Sequence, residues 1–180
     1  MKVALIRHLK VNLEKTPFFM SSAQFDKWNG DYDKAPIIKG DIDLSGIRFD
    51  KYYCSDMPRA IETAAHITDN FVISPELHEV PIFPFVKTKR IKLPFTIWRV
   101  FGRLAWLFHA KSQTEIKILS EERATKFLNK VLPNLKSNVA IITHGFFILG
   151  LAKHLKSLGF SGPRYKSFKN GEMTIYTLEE

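Results

Sequence analysis

The sequence has 180 residues, of which 45% are apolar, a formal charge of +9 and a single cysteine, Cys54. The length fits one domain over residues 1–180 that can bury its own core, and a lone cysteine excludes an intramolecular disulfide framework. Residues 1–7 are too short an apolar stretch for a signal peptide and no apolar run of about 18 residues could cross a bilayer, so we expect a cytoplasmic protein.

Three short apolar runs predict buried strands, because each is rich in β-branched or aromatic residues and stops at a polar residue. They are Lys2 to Ile6, Lys51 to Cys54 and Val139 to Ile142. A helix is predicted after the second run, with Pro58 in its first turn and apolar residues at helical spacing as far as Ile67.

The second half of the chain continues this alternation. Ser120 is a candidate N-cap for a helix whose apolar stripe ends at Leu135, and a further helix is predicted from Phe146 to Leu158. A last strand is predicted from Glu172 to Leu178. Alternating strands and helices without a linker or repeat favour a single α/β sandwich with a largely parallel central sheet.

Polar residues follow each of the three predicted strands. They are Arg7-His8, the run Ser55 to Arg59, and Thr143-His144-Gly145. Ligands of open α/β sheets bind beyond the carboxyl ends of the strands, so we expect these residues to share one edge. Each of these residues taken alone is more often structural than functional. A single His after a strand is usually a hydrogen-bonded structural residue, and an Arg in the first turn of a helix usually lies at the surface. Two imidazoles, two guanidinium groups and a helix N-terminus together favour a tetrahedral dianion.

Four sequence blocks form an ordered set. They are Leu5-Ile6-Arg7-His8, the run Cys54 to Ala64, the run Glu76 to Glu79, and Ile142-Thr143-His144-Gly145. These blocks resemble the signature blocks of the histidine phosphatase (phosphoglycerate-mutase-like) superfamily, and Asn170-Gly171 before the last strand is also similar to that family's ending. The resemblance leaves out only residues 83–111, and it implies a three-layer α/β/α fold.

The resemblance also implies a role for each residue. His8 would be the nucleophile that becomes phosphohistidine, and Glu79 would be the proton donor. Arg7, Arg59 and His144 would hold the phosphate oxygens, with Ser55 and Gly145 beside them. Asp56 is a rival for the acid, although a residue between a strand and a helix also serves to turn the chain. Neither a metal nor a cofactor is implied.

The sequence departs from the family pattern just after the nucleophile. Leu9 stands where the family usually has Gly, and Lys10 where an acid or a small polar residue is common, so we expect both to alter the pocket wall. The family's phosphate-contacting Asn has no aligned match, since Glu14 holds that place and Asn12 is out of register. The chain also lacks the length and fuller motifs of the glycolytic mutases, which favours a hydrolase.

The segment from about residue 83 to 111 forms a basic, aromatic insertion. Seven of the 27 Lys and Arg residues and none of the 18 acids lie between Val80 and Thr114. If Pro94 begins a helix, one apolar face is predicted and a narrow polar stripe opposite it. The face comprises Ile97, Phe101, Leu104, Ala105 and Phe108, widened by Trp98 and Leu107, and the stripe comprises Arg99 and Arg103.

This insertion leaves several roles open. It could pack on the domain, act as a substrate-selecting lid, or make peripheral contact with an anionic membrane through residues 87–111. No nucleic-acid-binding motif is present. The favoured function is metal-independent hydrolysis of a small phosphorylated substrate or phosphopeptide. The alternative is a catalytically weak phosphate-binding or membrane-associated signalling module. The sequence specifies neither the substrate nor the oligomeric state.

Overall fold

The computed structural model describes residues 1–13, 15–88, 90–134, 137–163 and 169–179. Its strands are β1 (Lys2–Arg7), β2 (Phe19–Met20), β3 (Lys51–Ser55), β4 (Val72–Ser74), β5 (Leu93–Pro94), β6 (Val139–Thr143) and β7 (Met173–Thr177). Its helices are α1 (Ser22–Lys34), α2 (Pro58–Ile67), α3 (Phe95–Leu107), α4 (Lys117–Val131) and α5 (Phe147–Ser157). Within these ranges, no helix combines the length and the apolar character needed to span a membrane.

Five strands form the central sheet in the order β4-β3-β6-β1-β7. The first four are parallel, and β7 runs antiparallel to β1. Leu5 of β1 pairs with Ile141 of β6, and Arg7 pairs with Thr143, so the two central strands end side by side. Strands β2 and β5 form a separate antiparallel pair. The predicted largely parallel sheet and its three apolar strands are confirmed.

The central strands are buried on both faces because helices cover each side of the sheet. Val3 and Leu5 of β1 pack in one core cluster with the apolar stripes of α4 and α5. Ala4 and Ile6, which point the other way, pack in a second cluster with α2. This alternation along one strand produces the α/β/α layers that the resemblance implied.

Two of the predicted helices occur where they were expected. Pro58 occupies the first turn of α2, where its missing N–H leaves no intrahelical hydrogen bond unmade. Helix α5 lies within one residue of its predicted bounds at each end, and Gly159 follows it with a φ of +91°, a conformation that glycine adopts without steric cost.

The predicted start of α4 is wrong. The helix begins at Lys117, and Ser120 is a buried residue inside it rather than its N-cap. The Ser120 hydroxyl donates to the Ile116 carbonyl one turn back and accepts from Trp106 Nε1, so its hydrogen-bonding capacity is used within the fold. Leu135, the predicted end of the stripe, lies outside the described residues.

Helix α1 was not predicted, and neither were β4 nor the β2–β5 pair. The helix begins at a capping box: Gln24 N–H donates to Ser21 Oγ, and Ser21 N–H donates to Gln24 Oε1. Phe25 is its one fully buried apolar side chain, so its hydrophobic periodicity is weak.

Helix α3 forms at the predicted place, but its predicted buried face is wrong. Trp98 and Gly102 face the core, whereas Phe101, Leu104 and Phe108 are exposed. Arg103 is not a solvated residue, because its guanidinium donates to the carbonyls of the loop that follows β4.

Trp98 joins α3 to α1 and to β2. Its ring is fully buried against Phe25, with ring centroids 6.1 Å apart, and its Nε1 donates to the Met20 carbonyl at 2.7 Å. Partly buried Ile82 and Phe85 complete this satellite core. Helix α3 is therefore packed on α1 and β2.

Two helical glycines should respond to alanine with opposite signs. A Cβ on Gly102 would lie 2.9 Å from the Phe83 carbonyl oxygen and 2.9 Å from Ile82 Cγ1. We expect Gly102→Ala to lower the free energy of unfolding by about 1–3 kcal/mol. Gly30→Ala in α1, where a Cβ meets nothing within 4 Å, should raise it by up to about 1 kcal/mol. Urea unfolding of both variants tests this, and a stabilised Gly102→Ala would contradict the packing of α3.

Candidate active site

The sheet register brings the three predicted loops together. Arg7 pairs with Thr143 and Cys54 pairs with Ile142, so β1, β6 and β3 all stop at one level. His8, which follows β1, donates its backbone N–H to the Thr143 carbonyl at 3.0 Å. The residues after each strand therefore meet at one edge of the sheet.

A cavity of about 440 Å³ opens at this edge. The strand-end loops contribute Arg7, His8, Met57 and Arg59; α1 contributes Asp26, Trp28, Asn29, Gly30, Tyr32 and Asp33; the loop after β4 contributes His78 to Phe83; and α3 contributes Arg99 and Arg103. The sheet edge thus forms the floor of the cavity, and helices α1 and α3 form its walls. Phe83, Arg99 and Arg103 of the insertion line the cavity.

His8 is held in one tautomer. Its Nδ1 lies 2.7 Å from the Leu9 carbonyl oxygen, which can only accept, so Nδ1 carries the proton. Nε2 is then unprotonated and accepts a hydrogen bond from Arg59 Nε at 3.2 Å. The ring is 2% exposed. This arrangement gives Nε2 a lone pair with a fixed direction.

The backbone of the nucleophile loop is fixed from two sides. Asn170 Nδ2 donates to the His8 carbonyl at 2.9 Å, and the Gly171 N–H donates to the Arg7 carbonyl at 3.0 Å. On the other side the Leu9 N–H donates to Thr63 Oγ1 of α2. The Asn170-Gly171 turn therefore positions His8. From the sequence, this turn is notable only for its similarity to the end of the family pattern.

Burial and neighbouring charge keep both histidines neutral. Burial, followed by the charge of Arg59, lowers the pKa of His8 from its usual 6.5 to about 3, although its bond to the Leu9 carbonyl acts in the opposite direction. Burial, again followed by Arg59, also lowers the pKa of His144 well below its usual value. Near neutral pH the Nε2 lone pair of His8 is thus free of a proton.

Arg59 is buried and held by three groups. Its Nε donates to His8, its Nη1 donates to Asp33 at 2.9 Å, and its Nη2 contacts Met57 Sδ. Its guanidinium also lies over the Tyr32 ring, 5.1 Å from the centroid. Asp33 and Tyr32 come from α1, and sequence reasoning missed both. The Ser21-x-x-Gln24 capping box was the signal that could have revealed the helix that carries them.

His144 and Ser55 are buried beside His8, and neither of them lines the cavity, although both were predicted to contact the substrate. The His144 ring is fully buried, its centroid 5.1 Å from that of His8, and its Nε2 lies 2.8 Å from Ser55 Oγ. Its Nδ1 has no hydrogen-bond partner among the described residues. Ser55 does not line the cavity, contrary to its predicted place beside the substrate, because its hydroxyl is engaged with His144 and with the Met57 N–H.

Gly145 makes room for Arg7. A Cβ at this position would lie 3.1 Å from Arg7 Nε and 3.2 Å from Arg7 Cζ. The glycine therefore lets the guanidinium approach the backbone at the start of α5. Gly145 lines a neighbouring cleft together with Arg7 rather than the cavity over His8.

Glu79 lies at the first turn of α5. Its Oε1 accepts hydrogen bonds from the Phe147 N–H at 3.1 Å and the Val80 N–H at 2.9 Å. Arg103 secures the same loop from α3 by donating to the Val80 carbonyl at 3.1 Å, and its Cζ lies 3.9 Å from the centroid of the Phe146 ring. Burial lowers the pKa of Arg103 to about 10, and the charge of Glu79 opposes that shift. The Glu79 carboxyl group is therefore positioned at the cavity wall.

Asp56, the rival acid, does not line the cavity. Its Oδ1 lies 2.8 Å from His78 Nδ1, and this pair is partly exposed. His78 does line the cavity. The geometry therefore favours Glu79 over Asp56 as the group that exchanges a proton with a ligand.

The departures after the nucleophile have little effect on the cavity. Leu9 is buried, and its side chain points towards Gly40 and Gly171 instead of the site. Neither Leu9 nor Lys10 lines the cavity, so the expectation that they alter its wall is wrong. Asn12 also lies elsewhere, its N–H bonded to the Pro36 carbonyl. Glu14 lies outside the described residues.

Comparisons with known proteins bear on the family and the fold. Residues 42–180 match the model of the histidine phosphatase superfamily (branch 1). No curated protein matches the sequence.

Solved structures share the fold at low sequence identity. A mycobacterial glucosyl-3-phosphoglycerate phosphatase is 14% identical, with a TM-score of 0.63 over 97% of this chain and 88% of its own. An Escherichia coli K-12 protein assigned as an alpha-ribazole-5'-P phosphatase is 18% identical, with a TM-score of 0.62 over 100% and 92%. The phosphoserine phosphatase of Entamoeba histolytica, in complex with 3-phosphoglyceric acid, is 17% identical, with a TM-score of 0.58 over 97% and 89%.

The buried neutral His8 should make the fold sensitive to acid. The unfolded chain binds a proton at this residue below about pH 6.5, whereas the folded chain does so only near pH 3. The stabilisation is complete above 6.5 and is lost as pH falls towards 3, by up to about 1.4 kcal/mol per pH unit. Urea unfolding between pH 7 and 5 should therefore show a smaller loss for His8→Asn than for wild type. Identical slopes would mean that His8 titrates normally in the folded protein.

Proposed function

The chain belongs to branch 1 of the histidine phosphatase superfamily, and from this premise we propose that it hydrolyses a phosphomonoester through a phosphohistidine intermediate on His8. The observation that carries the proposal is the fixed tautomer of His8, a residue that lines a cavity together with Arg7, Arg59 and Glu79. Its unprotonated Nε2 accepts a hydrogen bond from Arg59 Nε, and attack on a phosphoryl group requires that N–H to turn to the substrate. The phosphatase names of several structural neighbours support this class of reaction.

In the first step the Nε2 lone pair of His8 attacks the phosphorus atom. A bond between Nε2 and phosphorus forms, and the bond between phosphorus and the alcohol oxygen breaks. The departing alkoxide takes a proton from the Glu79 carboxyl group. The two N–H bonds to Glu79 fall on Oε1, so Oε2 is the oxygen left to exchange this proton.

In the second step water attacks the phosphohistidine. The Glu79 carboxylate takes a proton from that water, a new phosphorus–oxygen bond forms, and the bond to Nε2 breaks. Inorganic phosphate leaves, and His8 regains its lone pair while Nδ1 stays bonded to the Leu9 carbonyl. The tautomer is therefore the same at the start and end of the cycle.

The negative charge on the transferring group is stabilised by Arg7, Arg59 and His144. For His144 to donate to an oxygen through Nδ1, the Ser55 hydroxyl must donate to its Nε2, which their 2.8 Å separation permits. Ser55 then acts through His144 instead of touching the substrate. The proposed step uses no metal ion, because the guanidinium groups of Arg7 and Arg59 supply the positive charge and His144 supplies a neutral hydrogen-bond donor.

The alternative is a phosphate-binding module of the same fold without turnover. It would use the same arginines and histidines, and the Glu79 carboxyl group would then serve only to accept the N–H bonds of Val80 and Phe147. Substrates compatible with the cavity include small phosphorylated molecules and phosphopeptides. Turnover assays on the two variants described next distinguish an enzyme from a binding module.

Replacing the nucleophile should abolish turnover. We expect His8→Ala to hydrolyse p-nitrophenyl phosphate at least about a thousandfold more slowly, because no other unprotonated side chain occupies that position. Brief incubation of wild type with ³²P-labelled substrate should give an acid-labile, base-stable phosphoenzyme that His8→Ala lacks. His66→Ala on the exposed side of α2 is the matched control. Full activity in His8→Ala would refute the covalent route.

Replacing the proton donor should matter most when the leaving group is basic. Glu79→Gln keeps an oxygen that can accept the two N–H bonds but cannot donate the proton. We expect its kcat on an alkyl phosphate to fall about 10²- to 10⁴-fold, and its kcat on p-nitrophenyl phosphate to fall less than about tenfold. Asp56→Asn is the control. Equal losses on both substrates would indicate a structural role for Glu79.

A further inference from the structure

A second cleft, of about 530 Å³, adjoins the catalytic cavity. The two share four lining residues, which are Arg7, Glu79, Arg99 and Arg103. Away from these charged groups the cleft becomes apolar and is lined by Val100, Leu104, Trp106, Leu107 and Phe146. An apolar channel therefore leads away from the proposed proton donor along one side of α3.

The channel continues past the end of this cleft. A third cavity of about 250 Å³ shares Trp106, Leu107 and Phe146 with it and reaches Gly150 of α5, where Lys117, Glu121 and Lys153 end the apolar lining. The three cavities thus follow one another from the sheet edge to the groove between α3 and α5. Small-molecule sites in proteins have volumes of about 300–1,000 Å³ and are mostly apolar with a few placed polar groups, and the 530 Å³ cleft lies in that range.

The apolar lining of the cleft is not explained by packing. Val100 is 54% exposed, Leu104 39% and Leu107 38%, while the core side of α3 is formed by Trp98 and Gly102. Large apolar side chains at successive turns of an exposed helix mark binding surfaces more often than chance. Here they follow the cationic end of the cleft, where Arg99 and Arg103 lie beside the site of phosphate transfer.

We propose that this cleft binds the alcohol portion of the substrate, and that the substrate is a phosphomonoester of a long apolar alcohol. The inference rests on the proposed function and names its substrate class. Glu79 lines both the catalytic cavity and the cleft. A phosphoryl group on His8 whose leaving oxygen faces Glu79 therefore directs its alcohol into the apolar channel, and the arginines match its charged end.

Such an amphiphile could be a free molecule or a phosphorylated lipid in a membrane. The same helix exposes Phe101 and Phe108, and Arg90 and Lys92 precede it on the surface. If residues 87–111 contact an anionic membrane, as the sequence left open, the enzyme would take its substrate from that membrane. Lys89, part of that basic run, lies outside the described residues.

A series of n-alkylphosphonates from ethyl to octyl tests the cleft without turnover. We expect the Kd for the full-length protein, measured by calorimetry below micelle-forming concentrations, to fall about two- to fourfold per added methylene. The double variant Leu104→Gln with Leu107→Gln should flatten this dependence on chain length. Phe108→Gln, at a 75% exposed position that does not line the cleft, is the matched control and should retain it.

The outcomes separate this inference from the proposed function. A Kd that does not change with chain length, or a slope that the double variant leaves intact, would overturn the apolar substrate class. Chain-length-dependent binding without hydrolysis of p-nitrophenyl phosphate would overturn the proposed hydrolysis and support the cleft. Failure of every phosphonate to bind would overturn the apolar substrate class where p-nitrophenyl phosphate is still hydrolysed, and would overturn both proposals where it is not.

Hydrolysis of phosphatidic acid distinguishes the two sources. We would compare phosphate release from phosphatidic acid in anionic vesicles with release from a monomeric short-chain phosphatidic acid. A faster rate on the vesicles, and loss of this difference in the double variant Arg90→Glu with Lys92→Glu, would support a membrane source. Equal rates on the two would support a free amphiphile. Hydrolysis of neither phosphatidic acid, by protein that turns over ethyl phosphate, would overturn the apolar substrate class.

Discussion

The hydrogen bond from His8 Nδ1 to the Leu9 carbonyl is the constraint on which the site depends. An imidazole with both nitrogens free would distribute its proton between them, and the molecules protonated on Nε2 would lack the lone pair that the proposed attack requires. The hydrogen bond fixes the proton on Nδ1. Burial lowers the pKa of His8, so the imidazolium form is not populated near neutral pH. The Asn170-Gly171 turn holds the carbonyls of Arg7 and His8, and Thr63 holds the Leu9 N–H, so the backbone around this bond is fixed. Residues at both ends of the chain thus cooperate to position one lone pair.

The helices outside the sheet convert this edge into an enclosed site. Helix α1 supplies Asp33 to Arg59, and α3 supplies Arg103 to the carbonyls of the loop that carries Glu79. Both helices are joined by the buried Trp98. Because Trp98 faces inward, the opposite side of α3 must face solvent or a ligand. The packing that holds the walls of the cavity together therefore also exposes the apolar channel beside it.

The sequence predicted those features that follow from buried strands. A short β-branched run such as Val139 to Ile142 is stable only as a central strand that is buried on both faces of the sheet. Parallel pairing of this strand with β1 then places His144 beside His8. Helix α1 escaped prediction because Phe25 is its one fully buried apolar side chain. The buried face of α3 was misassigned because its closest contact uses Gly102, and a glycine contributes nothing to a hydrophobic pattern. The direction of the Leu9 side chain was not predicted, because it depends on the path of the backbone after β1. The residue type alone does not determine that path.

The pair between Asp33 and Arg59 sets a condition on phosphate binding. A guanidinium that is 2% exposed needs a partner when no substrate is present, because an uncompensated buried charge is strongly destabilising. Asp33 supplies that partner from a side chain that is about half exposed. Under the proposed function, a substrate dianion would compete with this carboxylate for Nη1, and the half-exposed carboxylate would regain water as it yields. The affinity for phosphate would then be a difference between two anions at Arg59, and Asp33 compensates the buried charge while the site is empty.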